Sequence, residues 1–146
     1  GVDVPDTVEG TDYSNVIKGS QKGIEKSALI MCPAPFGEWR RENGGVEYRG
    51  VRTGRYTYVR KLDGPWLLYD NRKDPYQMNN LCGNPEYKDI RQNLEKELQY
   101  WLKKTKDDFA SGPELLERCG YRVDKTETIP FDDEDYHGQV TQSATI

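Results

Sequence analysis

The sequence predicts an α+β fold, about four antiparallel strands packed by one long C-terminal α-helix. Three stretches point to it. Residues 46–70 read VEYRGVRTGRYTYVRKLDGPWLLYD, three runs of β-branched and aromatic residues separated by Thr53-Gly54 and Asp63-Gly64. Such residues suit a pleated, half-buried surface, and Asp-Gly between apolar runs is a strong hairpin signal. Residues 26–32, KSALIMC, form a fourth apolar run bounded by Gly23 and Pro33. In residues 85–109, apolar side chains recur every three or four positions, the period of an amphipathic helix.

The elements follow in order. Residues 1–23 hold Pro5, Gly10, Gly19 and Gly23 and read as a linker, with one helical turn over 12–18 started by Asp12 or Ser14. Residues 24–123 form the folded unit. The 26–32 run is expected to be a strand buried on both faces or central in the sheet. Residues 33–45, PAPFGEWRRENGG, read as an irregular loop. The meander strands are expected at 46–53, 55–62 and 65–70. Alternation puts Tyr56, Tyr58 and Leu62 on one face of the second strand. That single apolar face needs a cover.

Asn84 supplies a helix cap and Pro85 the first helical residue, where no backbone donor is needed. The stripe runs Tyr87, Ile90, Leu94, Leu98, Trp101 or Leu102, Thr105 and Phe109, and Gly112-Pro113 stops it. Its burial on the meander contributes roughly 1.5–3 kcal/mol per large side chain. A second short helix is expected over 113–119, between Ser111 and Gly120. Residues 124–146 are polar, with the acidic run Asp132–Asp135, and read as an extended or disordered tail.

A chain of 146 residues suits one domain. Ten Tyr and three Trp carry much of the apolar burial. The net charge of −4 argues against a nucleic-acid binder. No run is long and apolar enough to span a membrane as a helix. Three cysteines, Cys32, Cys82 and Cys119, contain no C-x-x-C pair, which disfavours zinc. They leave open one disulfide plus a free thiol, or three free thiols.

Catalytic constellations are scarce. The single histidine, His137, lies in the tail, where a general base lacks a fixed partner. The acidic run lacks EF-hand spacing. No catalytic residue and no metal ligand is therefore assigned. Arginine carries the remaining signal, because its planar fork suits sulfate, phosphate and carboxylate. The candidate substrate contacts are Trp39, Arg40 and Arg41 in the loop and Arg49 and Arg52 on the first meander strand. The plainer roles are an aromatic pinning the loop to the sheet and arginines in ordinary ion pairs.

The strings YRGVRTGRYTYVR and PWLLYDNRKDPYQMNNL, followed by a capped helix, resemble the C-terminal portion of a type I sulfatase of the arylsulfatase group. Members of this alkaline-phosphatase-like superfamily carry "R-x-V-R-T-x-R-Y-K-Y" and "L-Y-D-x-x-x-D-P-x-E-x-x-N-L" there; Thr57 and Gln77 depart from the frequent Lys and Glu. VDVPDTVEGTDYSNVIKG resembles the segment that follows the catalytic core. The resemblance covers about residues 2–109.

It implies a catalytic domain elsewhere in the same polypeptide, with formylglycine within C/S-x-P-x-R and a calcium ion. Neither can be placed here: Ser111-Gly112-Pro113-Glu114-Leu115 begins like the motif but lacks the Arg. It also implies a sulfated carbohydrate or aryl substrate, and a periplasmic, secreted or lysosomal location. On this reading the chain is structural support and a rim of the substrate pocket, inactive alone. A stand-alone module for acidic sugars and a self-associating interaction domain are the alternatives.

Overall fold

The structure is a computed structural model that describes residues 4–5, 7–8, 10–20, 26–125 and 127–130. The acidic run, His137 and most of the expected tail lie outside the described residues. Strands β1 (Ser27–Cys32), β2 (Tyr48–Thr53), β3 (Tyr56–Lys61) and β4 (Gly64–Asp70) pair antiparallel in the order β1-β2-β3-β4. Helix α1 (Ser14–Ile17) is a single turn, with the Asp12 carboxylate accepting from the Ser14 N–H at 2.8 Å. Helices α2 (Lys88–Thr105) and α3 (Gly112–Cys119) follow the sheet. The expected α+β class and the long helix across one face are what the chain adopts.

One face of the sheet meets α2. Leu29, Val51, Tyr58 and Leu68 pair across the four strands and enclose Leu94, Leu98 and Leu102. Polar ties fix the helix at both margins. Trp101 Nε1 donates to Ser27 Oγ at 2.7 Å, and Ser27 Oγ donates to Glu97 at 2.6 Å. The Tyr58 hydroxyl donates to Glu95 at 2.7 Å. Burial of that phenol, reinforced by the carboxylate it faces, pushes its pKa well above the ordinary value.

Four expectations change. β1 is an edge strand, neither central nor buried on both faces: Leu29 packs on the core while Ala28, on the opposite face, stays exposed. The sheet has two apolar faces, since Val59 is buried on the side away from α2. Leu62 leaves the strand and turns with Asp63, because Lys61 pairs with Gly64 and a register shift at Val59/Arg60 takes up the offset. The helical stripe stops at Thr105, short of Phe109. Lys106 takes the left-handed conformation at φ 55°, and the Asp107 N–H returns to the Leu102 carbonyl at 2.9 Å. Ending there frees Asp107 to reach Arg49 in the sheet, as described below.

Asn84 caps the helical segment as expected. Its side chain accepts from the Glu86 N–H at 3.0 Å, at the head of the 3₁₀ turn Pro85–Tyr87 that leads into α2. Asn84→Ala is expected to lower stability by about 1 kcal/mol. A urea midpoint unchanged by the substitution would show that the cap is dispensable.

Candidate functional site

The site is built on the sheet face opposite α2. Tyr48, Gly50 and Arg52 of β2, Thr57 and Val59 of β3, and Leu67 and Tyr69 of β4 alternate onto it, as the strand period requires. Ile30, Trp39, Tyr48, Thr57, Val59, Trp66, Leu67, Tyr69 and Gln77 line an open hollow there of about 330 Å³. The Tyr48 and Trp66 rings lie 6.3 Å apart, and the Lys61 ammonium stands 5.8 Å from the Trp66 ring.

At one side the hollow is polar. Arg52 Nη1 donates to Thr57 Oγ1 at 3.0 Å, and Gln77 Nε2 donates to Thr57 Oγ1 at 3.0 Å and to Asn71 Oδ1 at 2.8 Å. Gln77 takes φ 56°, so these side-chain bonds hold a backbone conformation that is uncommon outside glycine. At the other side the 33–45 loop closes over the sheet in two 3₁₀ turns, Gly37–Trp39 and Arg41–Asn43. Trp39 Nε1 donates to the Val46 carbonyl at 3.4 Å. Gly45 passes so near this turn that a Cβ there would stand 1.6 Å from the Trp39 carbonyl oxygen, so only glycine fits.

A buried carboxylate anchors the loop. Glu47 accepts from Arg41 Nη1 at 2.9 Å and Nη2 at 2.6 Å, and from the Gly112 N–H at 2.8 Å. The Arg41 fork, and after it the Gly112 N–H, hold the Glu47 carboxyl at about 2 against the cost of burial. Gly112 begins α3, where Ser111 and Glu114 form a capping box. A Cβ at Gly112 would meet Arg41 Nη2 at 2.7 Å. One carboxylate thus ties the loop, the approach to β2 and the head of α3.

The five candidate residues separate. Trp39 and Arg52 share the hollow's face and keep exposed surface. Arg40 lies beside Glu42, with Nε 3.2 Å from its carboxylate but not aligned to donate to it. Arg41 is the loop anchor. Arg49 points to the other face, 1% exposed, and its Nε and Nη2 bind Asp107. Its guanidinium also donates to the Tyr48 carbonyl at 3.3 Å and sits 4.9 Å from the Phe109 ring centre. Arg55 binds Asp70, and Arg60 binds Glu95 at 2.6 Å. Burial alone would raise the Glu95 carboxyl, but bonds from Tyr58, Gln99 and Arg60 hold it below its ordinary range.

Sequence reasoning misses Tyr48, Trp66, Tyr69 and Gln77. The available signal is alternation with core residues, Tyr48 beside Arg49 and Tyr69 beside Leu68; Trp66, two residues from Leu68, reaches this face only through the register shift opposite Val59/Arg60.

Cys32, Cys82 and Cys119 are free thiols. Burial and the Glu47 carboxylate push the Cys32 thiol pKa up, which disfavours the nucleophilic thiolate. Among the described residues no cluster of three His, Cys, Asp or Glu side chains is arranged to hold a metal ion. The Ser111 hydroxyl is occupied by Glu114 at 2.6 Å, and Leu115 stands where C/S-x-P-x-R needs Arg. These residues do not fit calcium or formylglycine, and no chemical step is assigned to them. Also among the described residues, no helix is long and apolar enough to cross a membrane.

Comparison with known proteins supplies the remaining context. The chain is 37% identical over 134 residues to an ulvan-active sulfatase of Formosa agariphila, covering 89% of this chain and 25% of that protein. It is 32% identical over 114 residues to a Δ4,5-hexuronate-2-O-sulfatase of Bacteroides thetaiotaomicron, covering 76% of this chain and 22% of that protein. The fold matches the solved structure of a 2-O GAG sulfatase with a TM-score of 0.62 at 25% identity, over 77% of this chain and 25% of that one. The chain thus spans about a quarter of the length of the curated relatives it matches. Residues 1–104 match the family model described as N-sulphoglucosamine sulphohydrolase, C-terminal, and the chain belongs to that family of sulfatase C-terminal domains.

Proposed function

We propose that this chain is the C-terminal subdomain of a sulfatase that hydrolyses sulfate esters of a carbohydrate. The observation that carries this reading is the family match over residues 1–104, joined to relatives about four times as long. The catalytic domain, with its formylglycine and calcium, belongs to the rest of that polypeptide. The chain gives structural support and presents the 33–45 loop as a rim of the substrate pocket. Trp39, Arg40 and Arg52 supply the outward-facing contacts, while Arg41 and Arg49 position the elements that carry them. An extracytoplasmic location, periplasmic, secreted or lysosomal, is what the sulfatase resemblance implies.

The isolated chain is expected to give no aryl-sulfate turnover in a colorimetric assay, and turnover above background overturns the reading. In the sulfatase polypeptide, Arg52→Ala is expected to raise KM for the sulfated sugar about tenfold, the effect of losing one charge-assisted hydrogen bond. The value of kcat is expected to hold. A KM that does not move removes Arg52 from the rim.

The aromatic hollow favours a second reading, a module that holds acidic sugars unaided. Titration of sulfated glycans against the isolated chain separates the two. Salt-sensitive binding lost in Trp39→Ala supports the module.

A further inference from the structure

We infer that the margin between α2 and the β3–β4 hairpin is a groove that binds a stretch of sulfated polysaccharide. The inference rests on the proposed function for its ligand class. It adds a second place where the polymer is held, on the sheet face opposite the Trp39 hollow.

The groove follows from how α2 lies on the sheet. At one margin Trp101 and Glu97 tie the helix to Ser27 of β1. At the other, Tyr58 and Arg60 reach Glu95, and two open hollows of about 490 and 460 Å³ lie between helix and hairpin. Arg60 lines both, so the two join at its side chain. Leu62, 47% exposed, and Pro65 give the hairpin bank apolar surface that suits the C–H face of a sugar ring.

The helix bank carries a stripe. Gln92, Lys96, Gln99 and Lys103 follow one another at intervals of four, three and four residues, which keeps them on one helical face. All four are exposed and line the groove. Amide and ammonium therefore alternate, with the two ammonium-bearing residues about 10 Å apart along the axis. An ammonium suits sulfate as a point charge, and an amide both donates to and accepts from hydroxyls.

The charges here are unequally engaged. Glu95 accepts from Tyr58, Arg60 and Gln99 at 2.7, 2.6 and 2.8 Å. Asp107 is held by Arg49, and Asp108 by Arg118. Among the described residues no ion pair engages Lys96 or Lys103. Arg91, on the same bank, gives one nitrogen to the Cys82 carbonyl at 2.6 Å and leaves the rest of its fork for a ligand. Cations left open beside occupied carboxylates, in a chain of net charge −4, direct a polyanion to this margin.

Affinity electrophoresis of the whole sulfatase polypeptide through dextran sulfate tests this, with plain dextran as the uncharged polymer. Lys96→Gln/Lys103→Gln is expected to weaken the apparent affinity for dextran sulfate about tenfold and to flatten its dependence on salt. Lys26→Gln/Lys125→Gln removes the same charge from exposed positions outside the groove and is expected to bind like the parent. An affinity that the groove pair leaves unchanged overturns the inference. So does an equal loss in the second pair, which marks bulk charge alone, or equal retardation of the parent by plain dextran. Aryl-sulfate release by the same preparation reads the proposed function separately and is expected to match between parent and groove variant. Affinity lost in the groove variant of a preparation without release removes the sulfatase reading alone, and release with unchanged affinity removes the groove alone.

Discussion

Replacing Arg49 by methionine is expected to lower stability by about 3–5 kcal/mol, the usual result of deleting one member of a buried ion pair. The Asp107 carboxylate would lose its cation while only 13% exposed. It would keep just the Phe109 N–H bond at 2.7 Å. The loss extends beyond charge. Arg49 also joins β2 to the segment after α2 and lies against Phe109, which the left-handed backbone at φ 59° brings beneath it. The double variant Arg49→Met/Asp107→Asn is expected to recover a substantial part of the loss, because Asn keeps an acceptor for Phe109 without an unpaired charge. Urea unfolding of the four proteins in this cycle measures the coupling. A single-variant loss below about 1 kcal/mol would mean that Arg49 is not a structural tie. A residue that only touched substrate would weaken binding and leave the unfolding midpoint in place.

The second large effect belongs to Glu47. Its carboxyl has a pKa of about 2 in the folded chain against an ordinary 4.5. A depressed folded-state pKa stabilises the fold above the unfolded value. That contribution falls as pH drops from about 4.5 through 2. The span corresponds to about 3 kcal/mol at most, reduced because Arg41 is partly exposed. Glu47→Gln is expected to lose most of it at pH 7. The stabilities of the two proteins are then expected to converge as the solution is acidified. A protonated Glu47 carboxyl, like the amide of the variant, carries no charge for Arg41 to grip. A constant difference between the two from pH 7 to pH 2 would separate Glu47 from the acid response. Loosening the loop also moves Trp39 and Arg40, so the variant links fold stability to the proposed rim.

Most of the architecture was legible locally. The Thr53-Gly54 and Asp63-Gly64 turns, the Asn84-Pro85 cap and the leucine spacing are short-range signals, and each appears where expected within a residue or two. The strand register and the helix end were less so. Leu62 looks like a strand residue by composition, but pairing of Lys61 with Gly64 places it in the turn. Phe109 extends the helical period, but Asp107 leaves the helix to meet a guanidinium that lies 58 residues earlier in the chain. The candidate site was partly legible. A loop bearing Trp39, Arg40 and Arg41 stood out, whereas the hollow beneath Trp39 required four strands and the Gln77 loop to be brought together.

By itself the sequence determined the element types, the family resemblance and the residue kinds available to meet a sulfated sugar, because propensity, turn chemistry and periodicity act between near neighbours. Only the tertiary structure decided which arginines face outward and which serve the fold. An arginine's role depends on the carboxylate within reach of its fork, and the partners of Arg49 and Arg60 are distant in the chain. Packing across the sheet settles that choice.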